Sequence, residues 1–137
     1  TDRSLPIARL RARETVMGPV RDMLSRSRIS EQKWRILRVL AEAGPMEQSA
    51  IAARACLLLP SLTRLLKSME EEALITRAVG PSDKRKSIVS IAPAGLAIIT
   101  EHASESRSLV TNLEHKFGKD DLDALLVLLE KLRRTKL

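Results

Sequence analysis

The sequence predicts a mainly α fold with a small β-wing: a winged helix-turn-helix flanked by long helices at both ends. Three observations predict it. Two short β-branched runs, around Thr76–Val79 and Ser87–Ile91, enclose a Gly80-Pro81-Ser82-Asp83 loop that ends in Lys84-Arg85-Lys86, the pattern of a hairpin with a basic tip. Directly before it, residues 60–75 read as a short helix opening on Pro60. Both ends of the chain carry long helical periodicity. A helix followed by a cationic hairpin suits a major groove with its neighbouring phosphates.

Residues 3–26 form the first helical stretch. Ala8, Ala12, Val16, Val20 and Leu24 recur every four residues, and Leu5, Met17 and Met23 widen the stripe. Pro6 is tolerable in the first turn, but Pro19 after Gly18 removes a donor and crowds the Thr15 carbonyl, so a kink or break is expected there. Ser30 is a good N-cap for a second helix to about Ala43, with Trp34, Leu37, Leu40 and Ala41 inward and Gly44-Pro45 ending it.

A third, short helix covers about Gln48–Ala55, with Ile51, Ala52 and Ala55 inward. Residues 56–59 read as a tight apolar connection, with Cys56 as a small buried residue, and Pro60 fits the first position of a fourth helix. Leu62, Leu65, Leu66 and Met69 make the buried face of that helix. Ser61, Thr63, Arg64, Lys67 and Ser68 stay outside. Two short helices, the second with a hydroxyl-rich and basic outer face, are a helix-turn-helix pattern.

After the hairpin, Pro93 opens a fifth helix to about Phe117, on an apolar face that begins with Leu96, Ile99 and Ala103. Gly118 closes it, and Asp120 and Asp121 favour the start of the next helix. Leu122, Leu125, Leu126, Leu129 and Leu132 make the last helix leucine-dense. The helix-turn-helix core covers only part of the apolar surface of the end helices. Pairing with the same helices of a second chain covers the rest, with Leu5, Leu122, Leu125, Leu126 and Leu129 as dimerisation residues. An intramolecular bundle is the competing arrangement.

Composition narrows the function. A chain of 137 residues fits one domain, and 44% hydrophobic residues supply a core. A formal net charge of +7 suggests a polyanionic partner. Only Trp34 and Phe117 are aromatic, which counts against base stacking on single strands or RNA. One cysteine excludes an internal disulfide. No run approaches the roughly 18 apolar residues of a membrane span, and no signal peptide is visible. The expected setting is the cytoplasm, with no membrane partner. His102 and His115 lack further ligands at useful spacing, and no nucleophile or phosphate-loop pattern is present. Neither a metal, a cofactor nor an enzymatic activity is expected.

The residues 83–95, Asp-Lys-Arg-Lys-Ser-Ile-Val-Ser-Ile-Ala-Pro-Ala-Gly, and 59–66, Leu-Pro-Ser-Leu-Thr-Arg-Leu-Leu, resemble motifs of the MarR family of transcriptional regulators. They are similar to its D-x-R, strand, L-T-x-x-G and its S-x-S-x-T-R-x-L. Residues 3–11 and 31–35 resemble, more narrowly, the repressors of homoprotocatechuate (aromatic-acid) degradation operons. Leu59 and Ala92 depart from the pattern where many members carry capping hydroxyls, worth ~1 kcal/mol each.

The resemblance implies one domain over residues 1–137, with a DNA-binding lobe at about 30–92 and dimerisation helices at about 3–26 and 93–134. It implies a homodimer on a pseudo-palindromic duplex, released by an anionic aromatic ligand. The candidate DNA contacts are Gln48, Pro60, Ser61, Thr63, Arg64, Lys67, Asp83, Lys84, Arg85 and Lys86. Arg64 and Lys67 suit base edges; Lys84 and Lys86 suit phosphates, and Asp83 suits orienting Arg85 or Arg77. Ser61 and Thr63 suit a phosphate or a thymine methyl, with helix capping and solvation as the favoured competing use. Arg9 and Arg13, one turn apart, suit a phenolic or other aromatic carboxylate, with Met17 and Trp34 against its ring. Salt bridges are the competing use of those arginines. A constitutive architectural DNA-binding protein and a winged helix that binds protein are the competing functional classes.

Overall fold

The computed structural model describes residues 3–79 and 87–137. The element order is α1 Leu5–Ser25, α2 Glu31–Ala43, β1 Met46–Glu47, α3 Gln48–Ala55, α4 Leu59–Glu71, β2 Ile75–Val79, β3 Ser87–Ile91, α5 Pro93–Phe117 and α6 Lys119–Arg134. The chain divides into two compact units, Thr1–Ala103 and Ser104–Leu137, with the division inside α5.

In the first unit, α2 packs against α1, α3, α4 and β3. Its start is set by Ser30, whose hydroxyl accepts from the Lys33 amide at 3.2 Å. Trp34, Ile36, Leu37 and Leu40 are its buried residues. Ala41 is exposed and Ile36 takes the inward place, on a helix packed by four other elements. Ile51, Ala55, Leu62, Leu66, Met69, Leu74, Ile75 and Val89 complete the core.

Helix α1 is continuous through Gly18-Pro19, so of the kink or break expected there, the break does not occur. Only one ladder bond is forfeited at Pro19, and an ion pair spans the weak point. Arg21 forks onto both oxygens of Glu14, at 2.8 and 3.1 Å, joining the turns on either side. Those contacts hold the Glu14 carboxyl below its ordinary range, the hydrogen bond from Arg21 being the largest cause. Of the apolar stripe on α1 only Met23 and Leu24 are buried; Leu5, Leu10 and Val16 are exposed.

The sheet has order β1-β3-β2, both pairs antiparallel. Its short outer strand β1, Met46↔Val89 and Glu47↔Ile88, was not anticipated, because two residues carry no readable alternation. The hairpin strands lie as expected, in register from Ile75↔Ile91 to Val79↔Ser87. Helix α4 ends in a Schellman turn: Leu74 donates to the Met69 carbonyl at 2.9 Å, and Ala73 takes a left-handed φ of 60°.

In the second unit no described residue is buried. Helix α6 exposes Leu125, Leu126, Val127, Leu128, Leu129 and Leu132. Near its end Arg133 and Arg134 both bind Glu130. The hydrogen bond from Arg133 is the largest cause that holds this carboxyl down to about 2.

Candidate nucleic-acid interface

The turn between α3 and α4 is built by two backbone features. Cys56 takes a left-handed φ of 53°, and Leu57 donates to the Ala52 carbonyl at 3.0 Å. The chain then bends by 109° from α3 into α4, inside the ~90–120° of helix-turn-helix pairs. This conformation turns Cys56 outward, so the cysteine is exposed and not buried. Leu58 and Leu59 are exposed as well. Leu59 is already the first residue of α4, Pro60 the second and Leu58 the N-cap. Pro60 still occupies a position whose amide has no partner in the helix.

Helix α4 buries Leu62, Leu66 and Met69, with Leu65 half-buried at the margin. Thr63, Arg64 and Lys67 are exposed, Ser61 and Ser68 half-buried. Arg64 and Ser61 border a 220 Å³ cleft shared with Gln32 and Lys33 of α2. The outer face therefore presents two long cationic donors, the side chains that suit guanine edges and phosphates.

Gln48 and Thr63 meet across the turn. The Gln48 amide donates to the Thr63 hydroxyl at 2.5 Å, and that hydroxyl donates to the Leu59 carbonyl at 2.9 Å. The hydroxyl of Thr63 thus serves the helix start, the capping use weighed against a base contact.

A network missed in the sequence fixes the far end of α4. Lys33 of α2 donates to Ser68 at 2.9 Å and also binds Glu72, while Ser68 donates to Glu72 at 2.9 Å. The Lys33 hydrogen bond, then that of Ser68, holds the Glu72 carboxyl below its ordinary range. The Ser68–Glu72 spacing of four residues was readable; a lysine 35 positions away was not. Arg77 of β2 binds Glu70 at 3.1 Å. Two of the three acids in Glu70-Glu71-Glu72 are therefore structural.

The wing residues Asp83, Lys84, Arg85 and Lys86 lie outside the described residues. Strands β2 and β3 lead to them at Val79 and Ser87.

Among the ligand candidates, Arg9 is exposed and Met17 half-buried. Arg13 binds Glu31 at 2.9 Å, and Arg21 comes within 3.8 Å of the same carboxylate. Trp34 is buried, with the His102 ring edge-on at 5.9 Å and the Arg38 guanidinium 5.8 Å from its centre. His102 is buried on a 2.6 Å hydrogen bond with Ser27. Arg38 lies one turn after Trp34, a spacing that was legible. Of the dimerisation candidates, Leu122 is half-buried and Leu5, Leu125, Leu126 and Leu129 are exposed.

With this geometry in hand, comparison with known proteins is specific. The sequence profile of the MarR family matches residues 29–87. The homoprotocatechuate degradative operon repressor of Escherichia coli is 37% identical over 128 residues, 93% of this chain and 86% of that protein. The crystal structure of NadR in complex with 4-hydroxyphenylacetate superposes with a TM-score of 0.85 at 31% identity, over 97% of this chain and 94% of NadR. The transcriptional repressor CouR, bound to a 23-mer DNA duplex, superposes with a TM-score of 0.80 at 25% identity, over 97% and 94% of the two chains.

Proposed function

This chain belongs to the MarR family of transcriptional regulators, and on that premise we propose a homodimeric, cytoplasmic repressor that reads double-stranded DNA and is released by a small aromatic acid. The observation that carries the reading is the outer face of α4. Thr63, Arg64 and Lys67 stand exposed on a helix whose two ends are fixed, by Gln48 at one and by Lys33 at the other. Arg64 and Lys67 contact base edges of a major groove; Lys84 and Lys86 supply sequence-blind affinity beside it, and Arg85 enters the flanking minor groove.

Residues 1–137 work as one domain per protomer. The bare leucines of α6 support the dimer, since an apolar face of this kind is covered in a stable protein. Two recognition helices on a two-fold axis match a pseudo-palindromic site one helical turn apart.

The aromatic-acid effector is supported by the NadR complex and by the operon named for the E. coli relative. In this chain a ligand carboxylate takes Arg13 from Glu31, or uses Arg9, and places its ring against Met17 or Trp34. The satisfied Arg13–Glu31 pair is also the observation that favours a second reading, constitutive DNA binding without an effector.

A duplex selected by the protein from a random pool separates these readings. Titration with 4-hydroxyphenylacetate, with and without that duplex, measures both arms of the linkage. The acid weakens DNA binding by the factor by which DNA weakens acid binding. Equal affinity for the acid in both states leaves the constitutive reading. No selection of any duplex refutes DNA recognition.

A further inference from the structure

The two flanks of α4 are equipped differently. Toward α3, Gln48 donates to the Thr63 hydroxyl, which donates to the Leu59 carbonyl, so the polar groups of that flank are spent within the protein. Toward α2, Ser61, Arg64 and Ser68 recur at i, i+3 and i+7 and line a 220 Å³ cleft with Leu65, Gln32 and Lys33. Lys33 and Ser68 are bound to each other and to Glu72. The side chains of Gln32, Ser61 and Arg64 bond to no described residue. An amide, a hydroxyl and a guanidinium thus share one cleft with their donors free, and no acidic side chain is among its described lining. Its volume is several times the ~30 Å³ of a water in the liquid, enough for a tetrahedral anion.

We propose that Gln32 and Ser61 together hold one backbone phosphate in each half-site, which makes Gln32 a DNA contact supplied by α2. The proposal rests on α4 being the DNA-reading helix. A helix with its side chains is ~10–12 Å across and a major groove ~12 Å wide, so a helix in the groove brings its flanks against the strand backbones. Gln32 donates from its amide and Ser61 from its hydroxyl. Arg64, exposed on the same cleft, is left to reach a base edge near that phosphate. The contact sets the register of Arg64 on the duplex, since phosphate contacts position and base contacts specify. Both donors are neutral, so they add affinity without adding to the cations that displace counterions.

The test is a cycle between protein and DNA. The wild-type protein selects a duplex from a random pool, and each phosphate of the half-site is then replaced singly by an uncharged methylphosphonate. At one phosphate the wild type loses about tenfold in affinity, and this loss shrinks to about threefold or less in both Gln32→Ala and Ser61→Ala. Lys86→Ala keeps the loss there. On the unmodified duplex Gln32→Ala binds more weakly with the wild-type salt slope. Gln32→Glu, whose acid suits the first turn of α2 and so keeps the fold, binds more weakly still. Equal methylphosphonate sensitivity in wild type and Gln32→Ala at every phosphate overturns the proposal. So does relief at different phosphates in Gln32→Ala and Ser61→Ala, or unchanged affinity in Gln32→Glu. If the wild type selects no duplex, the DNA-reading function itself fails and takes the proposal with it, an outcome distinct from all of these.

Discussion

Gly95, in the first turn of α5, lies directly against the carbonyl oxygen of Leu74, with the Leu37 side chain closing the other side. A Cβ at Gly95 would meet that carbonyl and come within 2.9 Å of Leu37 Cδ2. The same Leu74 carbonyl accepts from the Ala92 amide at 3.0 Å, so the start of α5 is moored to the turn that follows α4. Backbone cannot retreat as a flexible side chain can. Gly95→Ala should destabilise by ~1–3 kcal/mol, the usual cost of overpacking. The urea midpoint should fall with the m-value unchanged; an unshifted midpoint would show that α5 moves freely from Leu74.

Ala73 sits at a left-handed φ of 60°, where an L side chain is strained and glycine is not. Ala73→Gly should therefore stabilise the first unit by ~0.5–1 kcal/mol, against the general trend of alanine-to-glycine changes. Thermal melting reads the sign.

The Lys33–Glu72 pair predicts a pH signature. The folded-state carboxyl of Glu72 titrates below its ordinary value, so the stabilisation is complete above the unfolded value of about 4.3 and is lost as pH falls through the folded one. Lys33→Met should be less stable than wild type at pH 7, with the gap closing below about pH 4. A gap that stays constant down to pH 3 would assign the loss to packing.

Recognition and affinity should separate. Arg64→Ala should cost ~1–3 kcal/mol at particular base pairs. Lys86→Ala should weaken all sequences alike and lower the salt slope by about one. Identical behaviour of the two on selected and random duplexes would contradict this division.

On α6, Leu126 and Leu129 are 55% and 49% exposed in the single chain. Leu126→Asp or Leu129→Asp would leave an unpaired charge in the proposed dimer interface, costing several kcal/mol unless it reaches water. Light scattering should show monomers, and operator binding should disappear at physiological salt. A variant that stays dimeric would take its leucine out of the interface.

Much of this architecture was legible because it depends on local chemistry. Ser30 announces α2, Pro93 and Gly118 bracket α5, and the β-branched runs mark β2 and β3. The outward set Thr63, Arg64 and Lys67 followed from the helical spacing of three leucines and a methionine. What stayed hidden depends on partners distant in sequence. Ile36 is buried by elements other than its own helix, Lys33 reaches Glu72 across 39 positions, and Glu31 occupies Arg13 from another helix. The outward turn of Cys56 comes from a backbone angle that residue type alone does not specify.

The central place of β3 gives the hairpin an asymmetric freedom. With Met46 and Glu47 zipped to one edge and Ile75–Val79 to the other, β3 ties the wing's base to the residue where α3 begins. Insertions or deletions between Val79 and Ser87 should therefore leave the pairing of all three strands, and the seat of α4 against β2, unchanged.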